Sequence, residues 1–194
     1  MDAMEAILTR RSTRSMRREK PPMELIRQVV EAGMAAPSGG NSQTTHLIVI
    51  TREEILETLR EKVASAFAGM EADESTYPSL RKSILCSKEG TYIFDYYAPV
   101  LIVTANRREY GNAMADSACV LENMMIAANA LDLGACWINQ LHWLDGDRNV
   151  RDCLEKLGLE KHETVTGGLI LGYPLDGKPL RTPLPRTGNP VTWI

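Results

Sequence analysis

The chain has 194 residues, of which 44% are hydrophobic, so it is long enough to bury the core of one domain. Its formal net charge is −3 at pH 7 and it has no run of five like charges, which argues against a nucleic-acid-binding surface. The four cysteines form no CxxC pair, and we expect free thiols in a reducing cytoplasm. We find no secretory signal pattern and no apolar run of about 18 residues that would predict a membrane span.

The amino-terminal segment predicts a helix that ends in a cluster of basic residues. Asp2 followed by Glu5 resembles a capping box, and apolar residues between Met4 and Leu8 follow at helical spacing. This helix would present the sequence Arg10–Arg14 at its end. A phosphomonoester is bound best by forked guanidinium groups and a hydroxyl, which this segment contains. The same cluster can also be a solvated helix end that complements the helix dipole.

A second helix is predicted between the proline pair ending at Pro22 and the single Pro37, and it leads into a turn of small polar residues. The turn spans residues 36–43 and reads APSGGNSQ. Its two adjacent glycines let the backbone approach a flat or anionic ligand closely. Its hydroxyls and amides suit the polar groups of a polyol or a heterocycle. The same composition is also ordinary for a connection between a helix and a strand.

The middle of the chain predicts two buried strands, at residues 46–50 and 100–104, separated by a helix and an irregular segment. The helical periodicity fails at residues 69–95, which we interpret as a lid or a short helical insertion over a pocket. A long helix from about residue 112 to residue 133 is apolar around most of its circumference. Such a helix must be buried on nearly all sides, and we expect it to form part of a homodimer interface.

The last third predicts two more strands, at residues 135–138 and about 165–171, and then an extended arm. The arm, residues 174–194, holds five of the ten prolines, so we expect it to lie across another surface. In total the chain predicts four strands and five or six helices in a single α+β domain, residues 1–194.

Several common functional signatures are absent from the sequence. Neither GxGxxG nor GxxxxGK[ST] occurs, so a Rossmann or P-loop nucleotide site lacks its motif. The three histidines have no metal-like spacing, and no Ser/His/Asp set is evident. Ser38 lies in a glycine turn but lacks the GxSxG arrangement, which leaves a hydrolase as a minor alternative.

Four motifs, in this order, resemble the nitroreductase family of FMN-dependent oxidoreductases. They are Arg10–Arg14, Pro37–Gln43, Leu133–Ile138 and Leu171–Pro174. The resemblance covers nearly the whole chain. It implies a nitroreductase-like fold with a central mixed β-sheet flanked by helices, and a homodimer with two FMN molecules at its interface.

The resemblance also implies which residues bind the cofactor. Arg10 and Ser12, together with Arg186 from the arm, are similar to the residues that bind the FMN phosphate, and Arg11 belongs to the same cluster. Arg14 matches a basic position near the pyrimidine edge of the flavin. There it would stabilise negative charge on the reduced ring.

Two further groups of cofactor-binding residues follow from the resemblance. The turn would be contributed by the other subunit, through Pro37, Ser38, Gly39, Asn41 and Gln43. The end of the third strand would run beside the ring, through Trp137, Ile138 and Asn139. A backbone N–H of either Ile138 or Asn139 would then meet flavin N5.

The implied activity is transfer of a hydride from NADH or NADPH to flavin N5, and from there to an acceptor such as a nitroaromatic or a quinone. The mechanism would be ping-pong and would need no nucleophilic side chain, since the cofactor carries the chemistry. The alternative is a flavin-binding protein with a non-catalytic role in redox sensing or FMN storage.

Overall fold

The computed structural model describes residues 1–179 and 181–194, and a four-stranded sheet lies at its centre. The strands are β1 (His46–Ile50), β2 (Val100–Arg107), β3 (Gly134–Ile138) and β4 (Glu163–Gly172). Their order across the sheet is β1-β2-β4-β3, and every neighbouring pair is antiparallel. All four predicted strands and the α+β class are confirmed, whereas the sheet is antiparallel and not mixed as the resemblance implied. In the described part of the chain, parallel pairing is limited to one isolated bridge between Ser12 and Ala135.

Seven α-helices flank the sheet in the described residues. They are α1 (Ala3–Thr9), α2 (Met23–Met34), α3 (Glu53–Ala68), α4 (Pro78–Lys88), α5 (Ala113–Ala130), α6 (Gln140–Trp143) and α7 (Arg148–Lys156). A short 3-10 turn, Gly39–Asn41, follows α2. Helix α4 occupies much of the segment at residues 69–95, and α4 and α6 are the helices that the periodicity did not predict. No helix in the described ranges is both long and apolar enough to span a membrane.

The central strands β2 and β4 supply two cores because successive side chains of a strand point to opposite faces. Leu101 and Val103 belong to a core with α3, α4 and α7. Val100 and Ile102 belong to a second core with α2 and α5. All four side chains are fully buried, which explains why β2 reads as a continuous apolar run.

Helix α5, the predicted long helix, packs on α1, α2 and three strands of the sheet. Its contact with α2 is close because Gly33 of α2 has no side chain. A Cβ atom at Gly33 would lie 2.7 Å from the Cγ atom of Met124. One side of α5 is therefore buried within the protomer, whereas Met114 near its start is exposed.

Both ends of the chain leave apolar side chains exposed. Asp2 caps α1 by accepting a hydrogen bond from the Glu5 N–H at 2.9 Å, as predicted. The apolar residues Met4, Ile7 and Leu8, however, point away from the protomer. After β4 the described residues form neither helix nor strand, and Trp193 near the end is 90% exposed.

Candidate active site

The basic cluster runs along the outer edge of β3. Ser12 forms a parallel bridge with Ala135, and the Thr13 N–H donates to the Ala135 carbonyl oxygen at 2.9 Å. Because β3 is an edge strand, this edge is free to accept an extra segment of chain. Gly134 permits the close approach, since a Cβ atom there would lie 2.7 Å from the Thr13 Cγ2 atom.

Two arginines of this cluster lie near the thiol of Cys136. Arg10 donates from Nε to Glu122 Oε1 at 3.1 Å and is mostly buried, whereas Arg14 is exposed. Arg14 makes no hydrogen bond or ion pair with any residue that the structure describes. Burial raises the pKa of the Cys136 thiol, and the positive charges and Ser12 only partly oppose this shift. The thiol therefore stays protonated, while Arg14 remains available to bind an anion.

A cavity of about 490 Å³ lies between the end of β3 and α4. One wall consists of Arg14 and residues Cys136–Gln140, and the opposite wall consists of side chains between Tyr77 and Tyr96, with Trp143 at the side. The structure thus brings four of the predicted site residues to one cavity. They are Arg14, Trp137, Ile138 and Asn139.

Hydrogen bonds fix the two walls of this cavity to each other. Gln140 Nε2 donates to the Tyr92 hydroxyl at 2.8 Å, and Ser83 Oγ donates to the same hydroxyl at 2.7 Å. Burial raises the pKa of Tyr92, so its hydroxyl stays neutral. Trp137 Nε1 donates to Asn139 Oδ1 at 2.7 Å, which orients the side chain at the end of β3. The sequence did not single out Tyr92, Ser83 or Gln140. Ser83 and Gln140 meet the Tyr92 hydroxyl only in the folded chain.

The turn at residues 37–43 lies elsewhere in the protomer and lines a second cavity of about 120 Å³. The Gly39 N–H donates to Asp116 Oδ1 at 3.0 Å, and the Tyr110 hydroxyl donates to Asp116 Oδ2 at 2.9 Å. A Cβ atom at Gly39 would lie 2.1 Å from Asn112 Nδ2, so a side chain here requires the exposed Asn112 side chain to move. Asp116 is therefore a structural residue of the turn, which sequence reasoning noticed only as a polar interruption of the long helix.

Two other turn residues have backbone conformations that favour glycine or asparagine. Asn41 has φ 56° and Gln43 has φ 51°. Gln43 Nε2 donates to Asn41 Oδ1 at 2.9 Å, and the Gln43 N–H donates to Ser38 Oγ at 3.0 Å. These bonds stabilise the turn and leave Asn41 and Gln43 exposed on the protomer surface.

The arm places Lys178 near the basic cluster, whereas the sequence predicted Arg186 there. Arg186 is exposed and makes no hydrogen bond or ion pair with residues 1–179 or 181–194. Lys178 instead lines a hollow of about 240 Å³ together with Arg11 and Ser12. Its Nζ atom lies 2.9 Å from Asp132 Oδ2, and this contact lowers the pKa of Asp132. The role of Arg186 stays a prediction, whereas Lys178 lies in the wall of this hollow and Arg181 pairs with the same Asp132 carboxylate.

A model of the nitroreductase family matches residues 7–173, which include the basic cluster, the turn and the end of β3. The chain belongs to the nitroreductase family. The predicted resemblance is thereby confirmed. As a nitroreductase, it shares its fold with a crystal structure of a nitroreductase with bound FMN from Bacteroides fragilis, at a TM-score of 0.87 and 34% identity. That comparison covers 100% of this chain and 99% of the other.

Two curated relatives of this nitroreductase carry names that describe an activity. The 4-nitrobenzoate reductase of a Nocardioides species is 28% identical to this chain, and the alignment covers 89% of this chain and 81% of that relative. The NADPH-flavin oxidoreductase of Vibrio harveyi is 26% identical to this chain, and the alignment covers 95% of this chain and 70% of that relative.

Proposed function

We propose that this chain is an FMN-dependent oxidoreductase that uses NADH or NADPH to reduce a small acceptor such as a nitroaromatic or a quinone. The proposal rests chiefly on one observation, the meeting of Arg14 with the end of β3, Trp137–Asn139, at one cavity beside the basic cluster. The FMN-bound crystal structure and the names of the curated relatives support the cofactor and the class of donor.

The residues present fit FMN at both ends of the molecule. Arg11 and Ser12 line a hollow with Lys178, and Arg10, which is paired with Glu122, lies in the same segment. Together these residues would supply guanidinium groups and a hydroxyl for a phosphate dianion. The Nε atom of Arg11 is buried and has no hydrogen-bond partner in the described residues, so it is available to an anionic ligand. These residues would hold the phosphate and leave the ring to the aromatic cavity.

When bound, FMN would supply two-electron hydride chemistry between NAD(P)H and the acceptor, for which we propose a ping-pong order. The protein contributes position and charge. Arg14 would stabilise negative charge at the pyrimidine edge, and its effect is strongest where aromatic walls exclude water. Cys136 does not act as a nucleophile because its raised pKa keeps the thiol protonated.

We also propose that two copies of the chain share each site. In one protomer the turn at residues 37–43 lies apart from the cavity that contains Arg14. The exposed apolar residues of α1, Met4, Ile7 and Leu8, together with Trp193 of the arm, need a surface to cover them. A twofold dimer would bury these residues and bring the turn of one copy to the cavity of the other.

The test begins with the purified protein, which should be yellow and should bleach when NADH or NADPH is added without oxygen. Arg10→Ala should weaken FMN binding by about tenfold or more, equivalent to about 1.4 kcal/mol. Arg17→Ala is the matched control, because Arg17 lies in the same segment and is exposed. Equal effects of the two substitutions would show that the phosphate site is misassigned.

Two outcomes separate the competing functions. A yellow protein that neither nicotinamide bleaches would favour a non-catalytic flavin-binding role. A colourless protein that fails to take up added FMN would contradict both functions.

A further inference from the structure

The cavity between β3 and α4 has an unusual charge balance for this protein. Two cationic side chains, Arg14 and Lys82, line it, and none of its lining residues is an aspartate or a glutamate. The chain as a whole carries a net charge of −3, so the positive balance is a local property. In the described part of the chain neither cation forms an ion pair. Both are therefore free to bind an anion in the cavity.

Helix α4 adds to this positive potential because it begins at the cavity. Tyr77, which precedes its first turn, and Ser79 within that turn both line the wall. No side chain caps this end, and the first turn contains no acidic residue. The unpaired N–H groups at the start of the 11-residue helix thus contribute partial positive charge.

Lys82 belongs to the face of α4 that points into the cavity. Ser79, Lys82, Ser83 and Cys86 all line it, and their spacing of three and four residues is that of one helix face. Lys88 lies on the same helix but outside this set, and its Nζ atom is 3.1 Å from Glu71 Oε1. Both lysines therefore lie on α4, but only Lys82 lines the cavity, which makes Lys88 a matched control.

The remaining walls are aromatic and favour a flat ring. Tyr77 and Trp143 pack edge to face with their centroids 6.0 Å apart, and Tyr92, Tyr96 and Trp137 line the same cavity. A planar ligand can therefore be held between aromatic side chains while a charged group reaches α4.

We propose that the acceptor reduced at this site is an aromatic carboxylate whose anionic group is bound by Lys82. This inference rests on the proposed function, and it names the class of acceptor. Arg14, at the end of the cavity next to β3, would serve the cofactor ring. Lys82, on the opposite wall, is then the cation left for the acceptor, and it determines specificity without taking part in the reduction.

The test compares 4-nitrobenzoate with its neutral isostere 4-nitrobenzamide on the FMN-loaded protein. We expect a higher kcat/KM for the carboxylate in the unmodified protein. Lys82→Gln should lower kcat/KM for the carboxylate by about tenfold, the cost of one partly exposed charge-assisted contact, and leave the amide nearly unchanged. Lys88→Gln should change neither value. An unmodified protein without preference, or equal losses on both substrates in Lys82→Gln, would overturn the proposal.

A binding measurement gives a readout that does not depend on turnover. Quenching of tryptophan fluorescence, from Trp137 and Trp143 in the cavity wall, should report tighter binding of 4-nitrobenzoate than of the amide. The preference should shrink in Lys82→Gln and should weaken with added salt, as expected of an ion contact. Equal dissociation constants for the two ligands would contradict the assignment of Lys82. Failure of NAD(P)H to bleach the bound flavin would instead contradict the proposed function.

Discussion

Arg60 and Asp95 form an ion pair in the interior of the protein. The Nε atom of Arg60 donates to both carboxylate oxygens of Asp95, at 3.0 and 2.9 Å, and Asp95 is fully buried. Asp95 Oδ1 also accepts a hydrogen bond from the Tyr97 N–H at 3.1 Å. Tyr96 and Tyr97 have φ values of 52° and 56°, a conformation that needs support from its surroundings. The pair therefore holds the backbone at Tyr97, next to Tyr96 in the wall of the cavity.

Removal of Arg60 should strongly destabilise the protein. Burial raises the pKa of Asp95 and Arg60 opposes that shift, so Arg60→Met leaves an unpaired acid in the core. We expect the free energy of unfolding to fall by about 3–5 kcal/mol in urea titrations. Arg52→Met, at an exposed position just before the same helix α3, should change it by less than about 0.5 kcal/mol. Similar losses in both variants would contradict this account of the buried pair.

Gly39→Ala should damage the turn that we assign to the shared site. The added Cβ atom would lie 2.1 Å from Asn112 Nδ2 and 2.7 Å from the Tyr110 hydroxyl. We expect a loss of about 1 kcal/mol in thermal unfolding, because Gly39 is half-buried and the crowded atoms are the ends of side chains that can shift. Gly111→Ala is the control, because nothing lies within 4 Å of its Cβ position. Combining Gly39→Ala with Asn112→Ala should recover part of the loss, and no recovery would mean that the contact is not the cause.

Cys136 should react slowly with iodoacetamide in the native protein. Its side chain is buried and burial raises its pKa, so little thiolate forms at neutral pH. Cys86 is partly exposed and lines the cavity, and it should be labelled before Cys136. Peptide mass spectrometry at several times gives the order of labelling, and a urea-unfolded sample should lose the difference. Faster labelling of Cys136 than of Cys86 would show that the thiol is activated.

The strands were predictable because buried sheets produce continuous apolar runs, and all four appear where they were expected. Helix α4 was not predictable from periodicity. One face of it lines a cavity with Ser79, Lys82 and Ser83 and is therefore polar, which removes the apolar stripe. In α1 the stripe was recognised, yet Ile7 and Leu8 face outward. Periodicity shows which face is apolar but not what covers it.

The contacts of the candidate site depend on long-range packing that spacing alone does not reveal. Asp116 accepts a hydrogen bond from the Gly39 N–H across 77 positions of sequence. In the arm, Pro174 pairs with Met16, so the first residues after it stay beside the basic cluster. Lys178 therefore lines the hollow beside the cluster, and farther along the arm Arg11 Nη2 donates to the Thr182 carbonyl oxygen. The sequence of an extended, proline-rich segment does not indicate which of its residues lie beside another part of the fold.

The central claim, that each flavin site combines two copies of the chain, is tested most directly by mixing two defective variants. Arg10→Ala/Arg14→Ala removes two charges of one half, one from the proposed phosphate site and one from the proposed ring site. Asn41→Gly/Gln43→Gly removes the amides of the other half and keeps the backbone, since glycine adopts the positive φ of both positions. Each variant alone should bind FMN weakly.

Co-expression of the two variants with different affinity tags allows the mixed species to be purified and its FMN content to be measured. A twofold dimer with shared sites contains one intact site per mixed pair, so FMN binding should return to about half of the unmodified content. A mixed species that binds no more FMN than either variant alone, or two tags that never purify together, would contradict the account.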